Sequence, residues 1–210
     1  MLDVHSPHEP VHGIRDFLLH LLTITVGLLI ALGLEAAVEW RHHLHLRHEA
    51  EDNIRREIED NRKDLIEVLH AVPAEQAKFK NLLVYLNARA AGSDADIHNI
   101  NVGVKIGTPQ DASWQTAAAT GALAYMDYAE VKRFAAAYQM QKKLDTAQDA
   151  SMQPIVALLG GLSVMSNVNL GKEDAAVAAR QVHDIMGHVE TMREFGSDLG
   201  RLYDEALKER

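Results

Sequence analysis

Residues 17–38 read FLLHLLTITVGLLIALGLEAAV, and this run limits the chain more than any other feature. A helix needs about 20 predominantly apolar residues to cross the hydrocarbon core of a bilayer. The stretch carries only two ionisable groups, His20 and Glu35, one towards each end. The uninterrupted part, residues 21–34, extends roughly 21 Å at the helical rise. That is short for a span. It becomes sufficient when His20 and Glu35 lie at the two interfaces, with Phe17 and Trp40 as belt aromatics. We therefore expect a polar segment over residues 1–16, a transmembrane helix over 17–40 and a helical domain over 41–210.

Two rival readings are weaker. A cleaved signal peptide wants a basic n-region and small residues at the cleavage site. Here Asp3, Glu9 and Asp16 oppose Arg15, and Glu35 occupies the cleavage zone. The other rival is a core helix buried in a soluble domain. The bias of Arg and Lys sets the orientation of a span. Arg15 stands alone before this one, whereas Arg41, Arg47, Arg55 and Arg56 follow it. The expected location is thus a bacterial inner (cytoplasmic) membrane, crossed once, with the domain on the cytoplasmic side.

One face of the apolar helix differs from the rest. Thr23, Gly27, Ala31 and Glu35 are spaced by four, and His20 lies one turn before Thr23. Small residues at this spacing let a second helix approach closely. These five positions are the expected helix–helix contact; the plain alternative is a lipid-facing helix that happens to hold glycines.

Beyond the span, residues 41–71 contain neither Pro nor Gly. Ile54, Ile58, Asn61, Leu65, Val68 and Val72 alternate by 4 and 3, a heptad seam. Asn61 in that seam would fix register at a cost in stability, unless it bonds locally within its own domain. Pro73 is expected to break or kink the helix, with a second helix over 74–91. Ile100, Val102, Val104 and Ile106 alternate, which predicts an extended segment. A lone strand must either pack as a loop or pair with something outside the chain. Ser113 is expected to cap a short helix. Asp127 and Glu130 resemble a capping box ahead of VKRFAAAYQMQKKL, while Pro154 and Gly160–Gly161 interrupt the run that follows. The last helix, from about Glu173, repeats the heptad rhythm through Val182, Ile185, Val189, Met192, Gly196, Leu199, Tyr203 and Ala206. Two seams of one period predict an all-α helical bundle with coiled-coil-like packing.

At this point a resemblance emerges. HSPHEPVHGIRDFLLHLLTITVGLLIALGLEAAVEWRHH resembles the start of an uncharacterised family of bacterial proteins with one N-terminal membrane helix. SWQTAAATGALAYMDYAEVKRFAAAYQMQ is similar to a helical block later in such proteins. The resemblance implies topology and no activity.

Chemistry is sparse. Net charge is −9 and no basic stripe exists, so nucleic acid is not an expected partner. There is no Cys, which removes disulfides, thiolate metal sites and thiol nucleophiles together. Eight of the twelve His fall at positions 5, 8, 12, 20, 42, 43, 45 and 48. His42, His45 and His48 are three apart on one helix, close enough for a shared metal, although four ligands are wanted for a structural site. His8 and His12 have a similar spacing, but Pro7 and Pro10 oppose a helix there. His20 could ligate a haem with a second chain's help, or simply form an interfacial hydrogen bond. Glu35 could pair with a partner's cation. His183, Asp184 and His188 form a weak cluster on the last helix. No phosphate loop, nucleophile elbow or HExxH occurs. The expected function is an accessory or scaffold subunit, not an enzyme and without cofactor. Its expected partners are the lipid bilayer and either other membrane subunits or a second copy. The alternative is a histidine-rich metal- or haem-binding membrane module.

Overall fold

The structure, a computed structural model, describes residues 13–94, 102–165 and 170–208. Helix is the regular structure throughout: α1 (Ile14–Ala90), α2 (Ala112–Ala119), a short 3-10 helix (Ala122–Tyr125), α3 (Tyr128–Met165) and α4 (Lys172–Leu207). No strand occurs among the described residues, so the fold class is all-α. The chain divides into two compact units at His48/Glu49, and α1 contributes to both. The apolar run ends near residue 40; the boundary of packing lies later, where Ala50 becomes the first buried residue of α1.

The second unit is a bundle of α1 from Glu49 onward, α3 and α4. Side-chain contacts fix the directions. Arg55 meets Glu130 and Asn61 meets Gln141, so α3 runs parallel to α1. Arg62 meets Asp204 and Gln76 meets Glu190, so α4 runs antiparallel to it. Three seams converge. From α1 come Ile54, Ile58, Asn61, Leu65, Val72, Phe79, Leu82 and Leu86. Val68 is only half-buried. From α4 come Val182, Ile185, Val189, Met192, Gly196, Leu199, Tyr203 and Ala206, all buried. At Gly196 an added Cβ would stand 3.0 Å from Leu69 Cδ2 and 3.4 Å from Leu65 Cδ1. The missing side chain is what lets α4 sit this close to α1.

The third seam, on α3, was not evident from the sequence. Glu130, Phe134, Ala137, Gln141, Leu144, Gln148, Ser151, Ile155 and Leu158 repeat by 4 and 3 and are all buried. Four of the nine are polar, so the period does not register as a hydrophobic one.

The break expected at Pro73, with a separate helix over 74–91, and the interruption expected at Pro154 are corrected. α1 passes through Pro73 and α3 through Pro154 without ending. An interior proline costs about 3 kcal/mol. Flanking burial of Val72 and Phe79 in α1, and of Ser151 and Ile155 in α3, outweighs it, because packing supplies most of a helix's stability. Gly160–Gly161 is likewise helical. Ser113 does not cap α2. Asp111 holds that position, and the Ser113 amide donates to Glu57 Oε2 at 2.8 Å. At α3 the capping box is half present. Asp127 Oδ1 accepts from the amides of Ala129 (2.9 Å) and Glu130 (3.3 Å), while the Glu130 side chain turns to Arg55.

Candidate functional site

Parallel α1 and α3 require the chain to travel back along the bundle between them. Residues 102–111 make that return as an extended strap without regular structure, and Val102 is buried. Ile100 lies outside the described residues. A strap with no neighbouring strand must find other partners for its backbone. Here side chains of α1 and α3 supply them. The Lys105 amide donates to Glu75 Oε1 (2.6 Å) and the Gly107 amide to Gln148 Oε1 (2.8 Å). Asn61 grips Gln110 twice: the Gln110 amide donates to its Oδ1, and its Nδ2 donates to the Gln110 carbonyl, both at 2.7 Å. That carbonyl also accepts from Gln141 Nε2 at 3.0 Å. The polar seam residues therefore serve as a substitute strand edge. Asn61, 3% exposed, is bonded within its own unit, which is the local alternative to a register-setting role between helices.

The network continues on both sides of Asn61. The Tyr203 hydroxyl of α4 donates to Gln141 Oε1 (2.8 Å), tying the third helix to the same amide. The Tyr138 hydroxyl donates to Glu57 Oε1 (2.6 Å), and its ring stacks on Trp114 with centroids 5.3 Å apart. Burial, and then the Glu57 hydrogen bond, pushes the Tyr138 hydroxyl far above its usual range. Burial raises Tyr203 as well, helped by the charges of Asp145 and Glu57. Asp145 is itself raised by burial and by Asp149 and Asp111. Glu130, fully buried, pairs with Arg55, whose guanidinium lies 5.6 Å over the Phe134 ring. Under the strap, between Leu65, Val72, Val104, Leu144, Met192 and Tyr203, a void of about 30 Å³ remains. That is room for about two waters.

The first unit is chemically the opposite. From Ile14 to Trp40 every residue of α1 is exposed, including Phe17, Leu22, Ile24, Leu29, Leu34 and Trp40. α1 is the one helix among the described residues long and apolar enough to cross a membrane, and its apolar window has no burial within the chain. His20, Thr23, Gly27, Ala31 and Glu35 lie along one exposed side. Thr23 and Thr25 turn their hydroxyls inward, donating to the carbonyls of Leu19 (2.9 Å) and Leu21 (2.8 Å). A Cβ added at Gly27 or Gly33 would meet nothing within 4 Å.

Of the histidines that follow the apolar run, His42, His45 and His48 are exposed on α1, and His43 lies 4.0 Å from Glu39. Among the described residues, no three His, Asp or Glu side chains are arranged to hold a metal ion. His5, His8 and His12 lie outside the described residues. His183, Asp184 and His188 are exposed on α4, lining shallow open grooves with Pro154 and Gly187 on one side and Leu83 and Asn87 on the other. No family model matches the chain, and neither a curated protein nor a solved structure matches it.

Proposed function

We propose that this chain is a membrane-anchored accessory or scaffold subunit, held in a bacterial inner membrane by the first part of α1 and presenting its helical bundle on the cytoplasmic side. It assembles through the His20–Glu35 face of α1 and through the bundle, with a larger membrane complex or with itself. One observation carries the reading: a helical stretch from Ile14 to Trp40 that is apolar, long enough to span and exposed at every residue. A contiguous apolar surface of that extent needs lipid or protein around it. The bundle supports the same view. Its buried polar groups are engaged in holding the strap and joining helices, a structural use of side chains that elsewhere carry chemistry.

Alkaline-carbonate extraction of membranes containing the full chain tests the anchor, and purification in mild detergent tests the assembly. The expected result is a carbonate-resistant chain that migrates above monomer size with stoichiometric companions or copies. A carbonate-soluble chain would refute the anchor. A strictly monomeric one, in detergents that preserve weak membrane complexes, would refute the scaffold.

A further inference from the structure

Residues 40–48 read WRHHLHLRH, with two Arg, four His and no acid. They continue α1 directly beyond the apolar run. Arg41, His42, His45 and His48 are exposed, and at 3.6 residues per turn they fall within about 120° of the helix circumference. His43 and Arg47 lie on the other side and are half-buried, His43 beside Glu39. The exposed side is an arginine–histidine ridge that rises roughly 10 Å from Arg41 to His48. The charge reverses immediately afterwards, where Glu49, Glu51 and Asp52 follow on the same helix. Before the apolar run, Arg15 is outnumbered by Asp3, Glu9 and Asp16.

The order of charges along α1 points to the partner. With the apolar run in a bilayer, Trp40 marks the headgroup level, and the ridge occupies the layer just outside it. The field of an anionic leaflet acts over a Debye length, about 8 Å at physiological ionic strength. Helical side chains lean towards the N-terminus, which for this ridge means back towards the bilayer. Arg41 and His42 are therefore placed to reach phosphate oxygens, and His45 and His48 lie in the field above them. Guanidinium and imidazole both supply N–H donors to such oxygens. An acidic protein laid along α1 would meet the carboxylates from Glu49 onward, whereas a leaflet lies wholly on the cationic side of the reversal. We infer that Arg41, His42, His45 and His48 gather anionic phospholipid headgroups where α1 leaves the bilayer. The inference rests on the membrane reading of α1 and adds to it a class of lipid.

The test titrates the full chain, purified in mild detergent, with phosphatidylglycerol and with phosphatidylcholine of identical acyl chains. Retained lipids are counted by native mass spectrometry. Phosphatidylglycerol should be retained about fivefold over phosphatidylcholine, the preference of one cation at an anionic surface. The fourfold variant Arg41→Gln, His42→Gln, His45→Gln and His48→Gln should equalise the two lipids, and Gln keeps a good helix former at each exposed position. Arg15→Gln should leave the preference in place. Equal retention of both lipids by a carbonate-resistant wild-type chain would overturn this inference and leave the anchor standing. A preference that survives the fourfold variant, or one lost in Arg15→Gln, would do the same. So would a fourfold variant that sheds a stoichiometric protein companion and keeps its lipids, since the ridge would then be a protein contact. A carbonate-soluble chain would overturn both readings.

Discussion

Replacing Asn61 by Asp changes one atom and tests whether a side-chain amide holds the strap. Asn61 Oδ1 accepts from the Gln110 amide and its Nδ2 donates to the Gln110 carbonyl, each at 2.7 Å. In Asn61→Asp the first bond survives. At the second, a carboxylate oxygen replaces the donor and faces a carbonyl oxygen. The lost hydrogen bond is worth about 0.5–1.5 kcal/mol, and an unsatisfied buried group adds about 1–3 kcal/mol. The Gln110 carbonyl keeps Gln141 as a donor at 3.0 Å, which favours the lower part of the sum. The expected loss at neutral pH is about 2–3 kcal/mol. For a unit of this size that corresponds to a Tm about 5–10 °C lower. The sign with pH follows. A carboxyl at this position is held neutral by burial and by the carbonyl it can donate to when protonated, so its folded pKa lies above the unfolded one. The penalty is absent below the unfolded carboxylate range and grows as pH rises through it. Acidification should therefore bring the variant's Tm towards that of the wild type. Thermal melts by circular dichroism between pH 4 and 8, with hydrogen exchange at the Gln110 amide, measure both effects. An Asn61→Asp protein that melts with the wild type at pH 7 would refute the strap-holding role. Asn61→Leu separates that role from register-setting between chains: a raised Tm with a broadened size distribution would favour register, whereas an unchanged size distribution is expected here.

Gly196→Val should lower stability by about 2–4 kcal/mol in denaturant titration, because a branched side chain must displace Leu69 and Leu65, which stand 3.0 and 3.4 Å from the position of its Cβ. Burial holds the hydroxyls of Tyr138 and Tyr203 above the ordinary tyrosine range in the folded chain, so their contribution is intact below about pH 10 and declines above it. Each adds up to about 1.4 kcal/mol per pH unit to the alkaline slope, and Tyr138→Phe should remove one such share from the stability–pH curve. Gly27→Leu and Ala31→Leu should each weaken assembly in mild detergent while leaving carbonate resistance unchanged, since they add bulk without charge. Unchanged assembly in both would remove the contact face.

How much of this was legible in the sequence depended on which side chains did the packing. The α4 seam could be read directly, because Val182, Ile185, Val189, Met192 and Leu199 are apolar and evenly spaced. The α1 seam was readable as far as Val72 and then hidden behind Pro73, where local propensity argued for a break and burial of Phe79, Leu82 and Leu86 carried the helix on. The α3 seam was invisible, since Glu130, Gln141, Gln148 and Ser151 sit where a hydrophobic period would need apolar residues. Its signal exists only when Gln and Ser are allowed as core residues at heptad spacing. Alternation at Val102, Val104 and Ile106 foretold an extended segment. Its partners could not be foretold, because a backbone satisfied by side chains from two helices leaves no pattern of its own. The exposed apolar run was the plainest signal of all, being a matter of composition over a single stretch.

The return strap also sets an order of events in time. α3 and α4 are joined by a short connection and pack antiparallel, as in the Ser151–Met192 contact, so their pairing closes a small loop. α1 and α3 are parallel, and bringing Arg55 to Glu130 or Asn61 to Gln141 closes a loop of 75 or 80 residues. Loop-closure entropy places the hairpin first and the docking of α1 later. The strap is gripped only once both of its walls exist, so Asn61 is expected to engage after the rate-limiting barrier. Substitutions at Asn61 should accordingly accelerate unfolding and leave the refolding limb of the chevron nearly unmoved, whereas substitutions at Leu158 or Ile185 should slow refolding.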